Sequence, residues 1–117
     1  MRGDAYFWAM DATEIKSRLT TILQHLPVAY SPASARKLMA AFENYKHIVQ
    51  SLPTNTSIVR SGVRAAFDQI ESDIKFAIIG TPKKESESRF LDAKELMTKG
   101  INGLLTVPET DLERGIG

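Results

Sequence analysis

The sequence predicts an all-α protein, an antiparallel up-down bundle of four helices with loose termini. Apolar residues recur at steps of three and four, which stacks them on one side of a helix. Short connections separate these periodic stretches, so consecutive helices are expected to be antiparallel neighbours. No stretch alternates apolar and polar residues as a half-buried strand does. The predicted helices span about residues 11–26, 32–52, 57–79 and 82–100.

The first two helices begin at residues whose side chains can cap them. Asp11 and Glu14 have the spacing of a capping box, and Ser31 precedes Pro32, which suits the first helical position. Each helix ends before a proline, because the residue before proline avoids the α region. Their predicted core stripes are Ile15, Leu19, Ile22, Leu23 and Leu26 in the first helix, and Ala35, Leu38, Phe42, Tyr45, Val49 and Leu52 in the second.

The third helix carries the strongest helical pattern and ends before Gly80, a residue that suits the position after a helix. Its main apolar face comprises Val59, Val63, Ala66, Phe67, Ile70, Ile74, Ala77 and Ile78. A second row, well around the helix from that face, comprises Ile58, Gly62, Ala65, Gln69, Ser72, Phe76 and Ile79. The middle of the second row is small, so another backbone could approach it closely. Either a helix of the same chain covers this row, or a partner protein does.

The fourth helix follows Pro82, and Gly100 and Gly103 are expected to weaken its end. Residues 11–105 would form the bundle domain, and residues 106–117 a flexible tail. Residues 1–10 form an aromatic segment that either extends helix one or precedes it. The predicted core face of the fourth helix is Phe90, Ala93, Met97, Ile101 and Leu104.

Composition excludes several classes of function. The chain has 117 residues, 43% of them hydrophobic and 25% charged, which suits one globular domain. The absence of cysteine excludes disulfides and thiolate sites. A net charge of +1 gives no overall attraction to nucleic acid or membrane. No apolar run reaches the roughly 18 residues of a membrane span, so a soluble cytoplasmic protein is predicted.

Neither metal binding nor catalysis has a supporting motif. The two histidines, His25 and His47, lie on different helices, and no Glu-x-x-His pair occurs. The sequence contains no glycine-rich phosphate loop outside a helix and no nucleophile motif. We therefore expect no enzyme activity, no cofactor and no small-molecule substrate.

The remaining function is a small protein–protein interaction module, adaptor or regulatory in kind. It would self-associate, as a homodimer, or bind a partner helix by burying apolar side chains in a groove. The residues predicted to carry the contact are Ile58, Gly62, Ala65, Phe76 and Ile79, with Tyr6, Phe7 and Trp8 as a second apolar patch.

Nucleic-acid binding is the first alternative, through the basic residues Arg60, Arg64, Lys83 and Lys84. These could contact phosphates if they shared a face. Acidic residues are interleaved with them, and a face of mixed sign is usually a solvated one.

His47 supplies the second alternative. An exposed histidine on a four-helix bundle resembles the histidine phosphotransfer domains, in which a lysine usually follows three places on and a glycine four places on. Here Gln50 and Ser51 occupy those positions. The resemblance implies phosphorylation at His47. Gln50 lacks the charge of the lysine that would neutralise the phosphoryl group, and Ser51 fills space that the glycine would leave for a partner.

Overall fold

The computed structural model describes residues 11–52 and 57–114, without the side chains of residues 57–61, 113 and 114. These ranges contain five helices and no strand, which confirms the predicted all-α fold class. The helices are α1 (Ala12–Gln24), α2 (Pro32–Ser51), α3 (Ser57–Ile79), α4 (Lys83–Leu105) and α5 (Glu109–Arg114). None of them combines the length and hydropathy that crossing a bilayer requires.

The predicted caps of α1 and α2 are confirmed. Asp11 Oδ1 accepts the Glu14 backbone N–H at 2.8 Å, and Ser31 Oγ accepts that of Ser34 at 2.9 Å. Each cap satisfies a backbone donor that has no partner in the helix, which stabilises by about 1 kcal/mol. Gly80 ends α3 with a φ of +83°, a left-handed conformation that glycine adopts without steric cost.

The ends of α1 and α4 differ from the predicted ones. Helix α1 ends at Gln24, two residues before the predicted boundary, and α4 continues five residues past Gly100. Two glycines cost α4 only about 1 kcal/mol each. The burial of Ile101, with Leu104 and Leu105 packed against the core, outweighs that cost.

The chain past α4 forms a further helix where a loose tail was predicted. Leu112 of α5 is 1% exposed, and α5 packs against the start of α1. The Thr13 hydroxyl also lies 3.5 Å from Glu109 Oε1. A single leucine in a polar run gives no periodic signal, so only the tertiary structure reveals this contact.

Aromatic contacts fix the antiparallel arrangement of α2, α3 and α4. The Tyr30 hydroxyl, just before α2, donates to the Ala77 carbonyl near the end of α3 at 2.7 Å. The Tyr30 ring also lies 5.4 Å from the Phe90 ring, near the start of α4. Towards the other end, Phe42 and Tyr45 pack edge-on against Phe67 at 5.6 and 5.5 Å.

Helix α3 packs on α4 and α2, while α1 packs on α2, α4 and α5. No contact joins α1 to α3 within the described part of the chain. The side of α3 that faces away from α2 and α4 is therefore not covered by α1. The core residues contributed by the long helices are Ala12, Ile15 and Leu19, then Ala35, Leu38, Phe42, Tyr45 and Ile48, then Phe67, Ile70, Ile74 and Ala77, then Phe90, Ala93, Met97 and Ile101.

Gly100 of α4 lies directly against the Tyr45 side chain of α2. A Cβ atom built on Gly100 would overlap the Tyr45 hydroxyl and lie 3.2 Å from Tyr45 Cζ. Gly100 is therefore needed for packing. Burial raises the pKa of the Tyr45 hydroxyl above its usual 10.0, because desolvation disfavours the phenolate.

Candidate interaction surface

Most of the second row on α3 is open to solvent. Gly62, Ala65, Gln69 and Ser72 are exposed, and Ile79 retains 72% of its accessible surface. No heavy atom of a described residue lies within 4 Å of a Cβ built on Gly62. The side chain of Ile58 lies outside the described part. Among the described residues, neither α4 nor another helix covers the middle of this row.

Phe76 is the large side chain of the row, and it is half-buried. The Arg89 guanidinium, from α4, lies 4.7 Å from the centre of its ring. This cation–π contact covers one part of the ring and leaves another part exposed. The row therefore has an aromatic residue near one end and an open glycine near the other.

Arg89 also joins α4 to Asp73, a carboxylate that is not part of the main apolar face predicted for α3. Asp73 is nevertheless buried, with 3% of its surface exposed. Its Oδ1 accepts from Gln69 Nε2 at 3.0 Å and from Arg89 Nη1 at 3.2 Å. Glu85 lies 3.8 Å from the other end of the guanidinium. A buried charge is tolerated when it is paired and hydrogen-bonded in this way.

Asp73 and Arg89 bridge α3 and α4 along one side of the helix pair. Two turns away, this side is exposed to solvent. Ala66 precedes Asp73 by seven residues and Leu96 follows Arg89 by seven, so the two lie level on antiparallel helices. Ala66 was predicted on the core face but is exposed, and Leu96 is 37% exposed. Two exposed apolar residues, Ala66 and Leu96, therefore extend the open part of the second row towards α4.

The aromatic residues Tyr6, Phe7 and Trp8 lie outside the described residues, and their predicted patch stays a prediction.

The basic residues of the nucleic-acid alternative are not brought together. Arg64, Lys83 and Lys84 are exposed, and the side chain of Arg60 is outside the description. Arg64 lies 15 residues before the end of α3, which is about 22 Å along the helix. Lys83 and Lys84 begin α4 just after that end. Together, these residues do not form one phosphate-binding cluster, and nucleic-acid binding stays a prediction.

His47 is exposed, as predicted, but it lies on the wall of a cleft between α1 and α2 rather than on an open face. Arg18 and Asn44 line the same cleft. Phosphotransfer at His47 stays a prediction. The described residues contain no group of three histidine, aspartate or glutamate side chains placed to hold a metal ion.

Ser86 is a second polar residue that the pattern did not place inside. It is fully buried, and its hydroxyl makes no hydrogen bond within the described structure. A kinase could not reach this hydroxyl in the folded chain. The serine lies one turn before Phe90 on the core face of α4, and that spacing is the signal that could have found it.

Comparison with known proteins gives no relative: no family model, no curated protein and no solved structure matches this chain.

Proposed function

We propose that this chain is a non-enzymatic protein–protein interaction module that self-associates through the second row of α3. The observation that carries the proposal is the exposure of the middle of that row, including a glycine with open space above it. A long helix that leaves a second, partly apolar side uncovered presents that side to a partner.

A second copy is the partner that the row itself fits. A two-fold axis brings the same patch of both copies together, so the patch must be complementary to itself. With the two rows antiparallel and centred on Gln69, Gly62 of each copy faces Phe76 of the other. Ala65 then faces Ser72, and Gln69 faces its own equivalent. The large aromatic side chain of each copy thus meets an open glycine of the other.

Charge does not oppose this pairing. All seven residues of the second row are uncharged, so a two-fold axis places no like charges against each other within it. The two Gln69 side chains could donate and accept across the axis, since each amide carries both donor and acceptor groups. Burial of Phe76 and Ile79 would supply most of the free energy of association, because large apolar anchors dominate interfaces.

The experiment is a measurement of molecular mass in solution, by sedimentation equilibrium, on three chains. The wild type is expected to be a dimer. Gly62→Trp would fill the place of Phe76 from the partner and is expected to be a monomer. Gly103→Trp is the matched control: it alters an exposed helical glycine with open space around it, on α4 and outside the row, and should leave the dimer intact.

Two results would refute the proposal. One is a wild-type monomer at concentrations up to about 100 µM, which excludes an association free energy stronger than about −5.5 kcal/mol. The other is a dimer that Gly62→Trp does not weaken.

Trp8 is the single tryptophan of the wild type, so its fluorescence emission across a dilution series tests separately whether the N-terminal patch takes part in the dimer.

A further inference from the structure

A cleft of about 330 Å³ lies between α1 and α2. Its volume is at the lower end of the range found for small-molecule sites. Because α1 does not contact α3, the cleft lies on another part of the molecule from the second row. It is therefore independent of the proposed interaction surface.

The polar groups that line the cleft are mostly hydrogen-bond donors. Arg18 carries five guanidinium N–H groups, and His47, Asn44 and Ser17 add an imidazole, an amide and a hydroxyl. Thr21 also lines the cleft, but its hydroxyl donates to the Ser17 carbonyl at 3.0 Å. No carboxylate is among the described residues that line the cleft. This set favours a ligand that accepts hydrogen bonds and carries negative charge.

Glu14 holds the guanidinium in place from outside the cleft. Arg18 Nε and Nη2 donate to Glu14 Oε2 at 3.2 and 2.8 Å. Nη1 makes no hydrogen bond to another described residue and remains available to a ligand. An ion pair that uses one edge of a guanidinium fixes its plane and leaves other donors for an oxyanion.

The remaining lining residues are apolar. Ile22, half-buried against the core, presents hydrocarbon to the cleft, and Ile48, which is 3% exposed, adds a small apolar surface beside it. We propose that the cleft binds a small organic oxyanion. Its apolar body would contact Ile22 and Ile48, and its oxyanion would accept hydrogen bonds from Arg18 and His47.

The first test is a proton NMR titration of the full chain with phenyl phosphate and, separately, with benzoate. These probes share an aromatic body and differ in the oxyanion, so the tighter of the two identifies the preferred head group. The chain has two histidines, and His25 does not line the cleft. The ring signals of His47 are expected to move at least threefold further than those of His25. Equal movement of both would overturn the proposal, because it would show non-specific binding.

The second test repeats the titration on variants of exposed residues, which should fold as the wild type does. Arg18→Gln and His47→Gln are each expected to weaken binding about threefold to tenfold, the range for charged hydrogen bonds near solvent. Lys99→Gln is the control, because Lys99 makes a similar i,i+4 ion pair, with Glu95, outside the cleft. Unchanged affinity in both cleft variants would overturn the proposal.

Inorganic phosphate should bind at least fivefold more weakly than phenyl phosphate, and equal affinity would overturn the role of Ile22 and Ile48.

Discussion

Gly100→Ala tests the packing of α2 on α4 with a single methyl group. In an open helical position, replacing glycine by alanine stabilises by up to about 1 kcal/mol, because glycine loses more backbone entropy on folding. At Gly100 the added carbon would overlap the hydroxyl of Tyr45. Tyr45 is only 6% exposed and packs against Phe67, so it has little room to move. Overpacking of this kind costs about 1–3 kcal/mol. We expect a net loss of about 1 kcal/mol in the free energy of unfolding.

Gly103→Ala supplies the matched comparison, three residues further along the same helix. A Cβ there would meet no atom of a described residue within 4 Å. It should gain about 0.5 kcal/mol, less than the full propensity difference because the position is near the end of α4. The two variants should then differ by about 1.5 kcal/mol, or about 6 °C in melting temperature for a chain of this length.

Urea unfolding followed by circular dichroism measures both free energies, and calorimetry measures both melting temperatures. Tyr45→Phe completes a double-mutant cycle: without the hydroxyl, the Gly100→Ala change should cost less than it does in the wild type. A Gly100→Ala variant as stable as Gly103→Ala would refute the predicted overlap, as would a cycle that shows no coupling between Gly100 and Tyr45.

Three further predictions use the same unfolding assay. Arg89→Ala should destabilise the fold by about 2–3 kcal/mol, because it leaves the buried Asp73 carboxylate without its cation. Asp73→Ala should destabilise it by less, because the half-exposed Arg89 can be hydrated. The reverse order would contradict this account of the ion pair. Because the pKa of Tyr45 is raised in the folded state, the unfolded chain loses the phenolic proton at a lower pH than the folded chain. The free energy of unfolding should therefore fall as the pH rises past 10.0, by at most about 1.4 kcal/mol per pH unit. Tyr45→Phe should make this fall shallower. Ser86→Ala should change stability by less than about 1 kcal/mol, or raise it, because the buried hydroxyl makes no hydrogen bond to a described residue; a larger loss would contradict this expectation.

Only part of the candidate surface could be predicted from the sequence. The periodicity of α3 defined the second row, and its small residues indicated a place for close approach. Whether the row was covered depended on where α4 and α1 lie. Arg89 reaches Phe76 and Asp73 but leaves Gly62 and Ala65 open, and no local pattern encodes that difference. The cleft beside His47 was not predicted, because it requires Arg18 and His47, on separate helices, to face each other.

The sequence by itself determined the four long helices, the caps at Asp11 and Ser31, the left-handed Gly80 and most of the core stripes. These features depend on residues within a few positions of each other, where helical spacing and capping chemistry are local. Only the tertiary structure decided that Asp73 and Ser86 are buried, that Ala66 is exposed, that Gly100 is required by Tyr45, and that Leu112 closes the bundle. Each of these depends on a neighbour distant in the chain. Burial is a property of the pair of surfaces that meet, so it follows from the packing of helices and not from the pattern of any one of them.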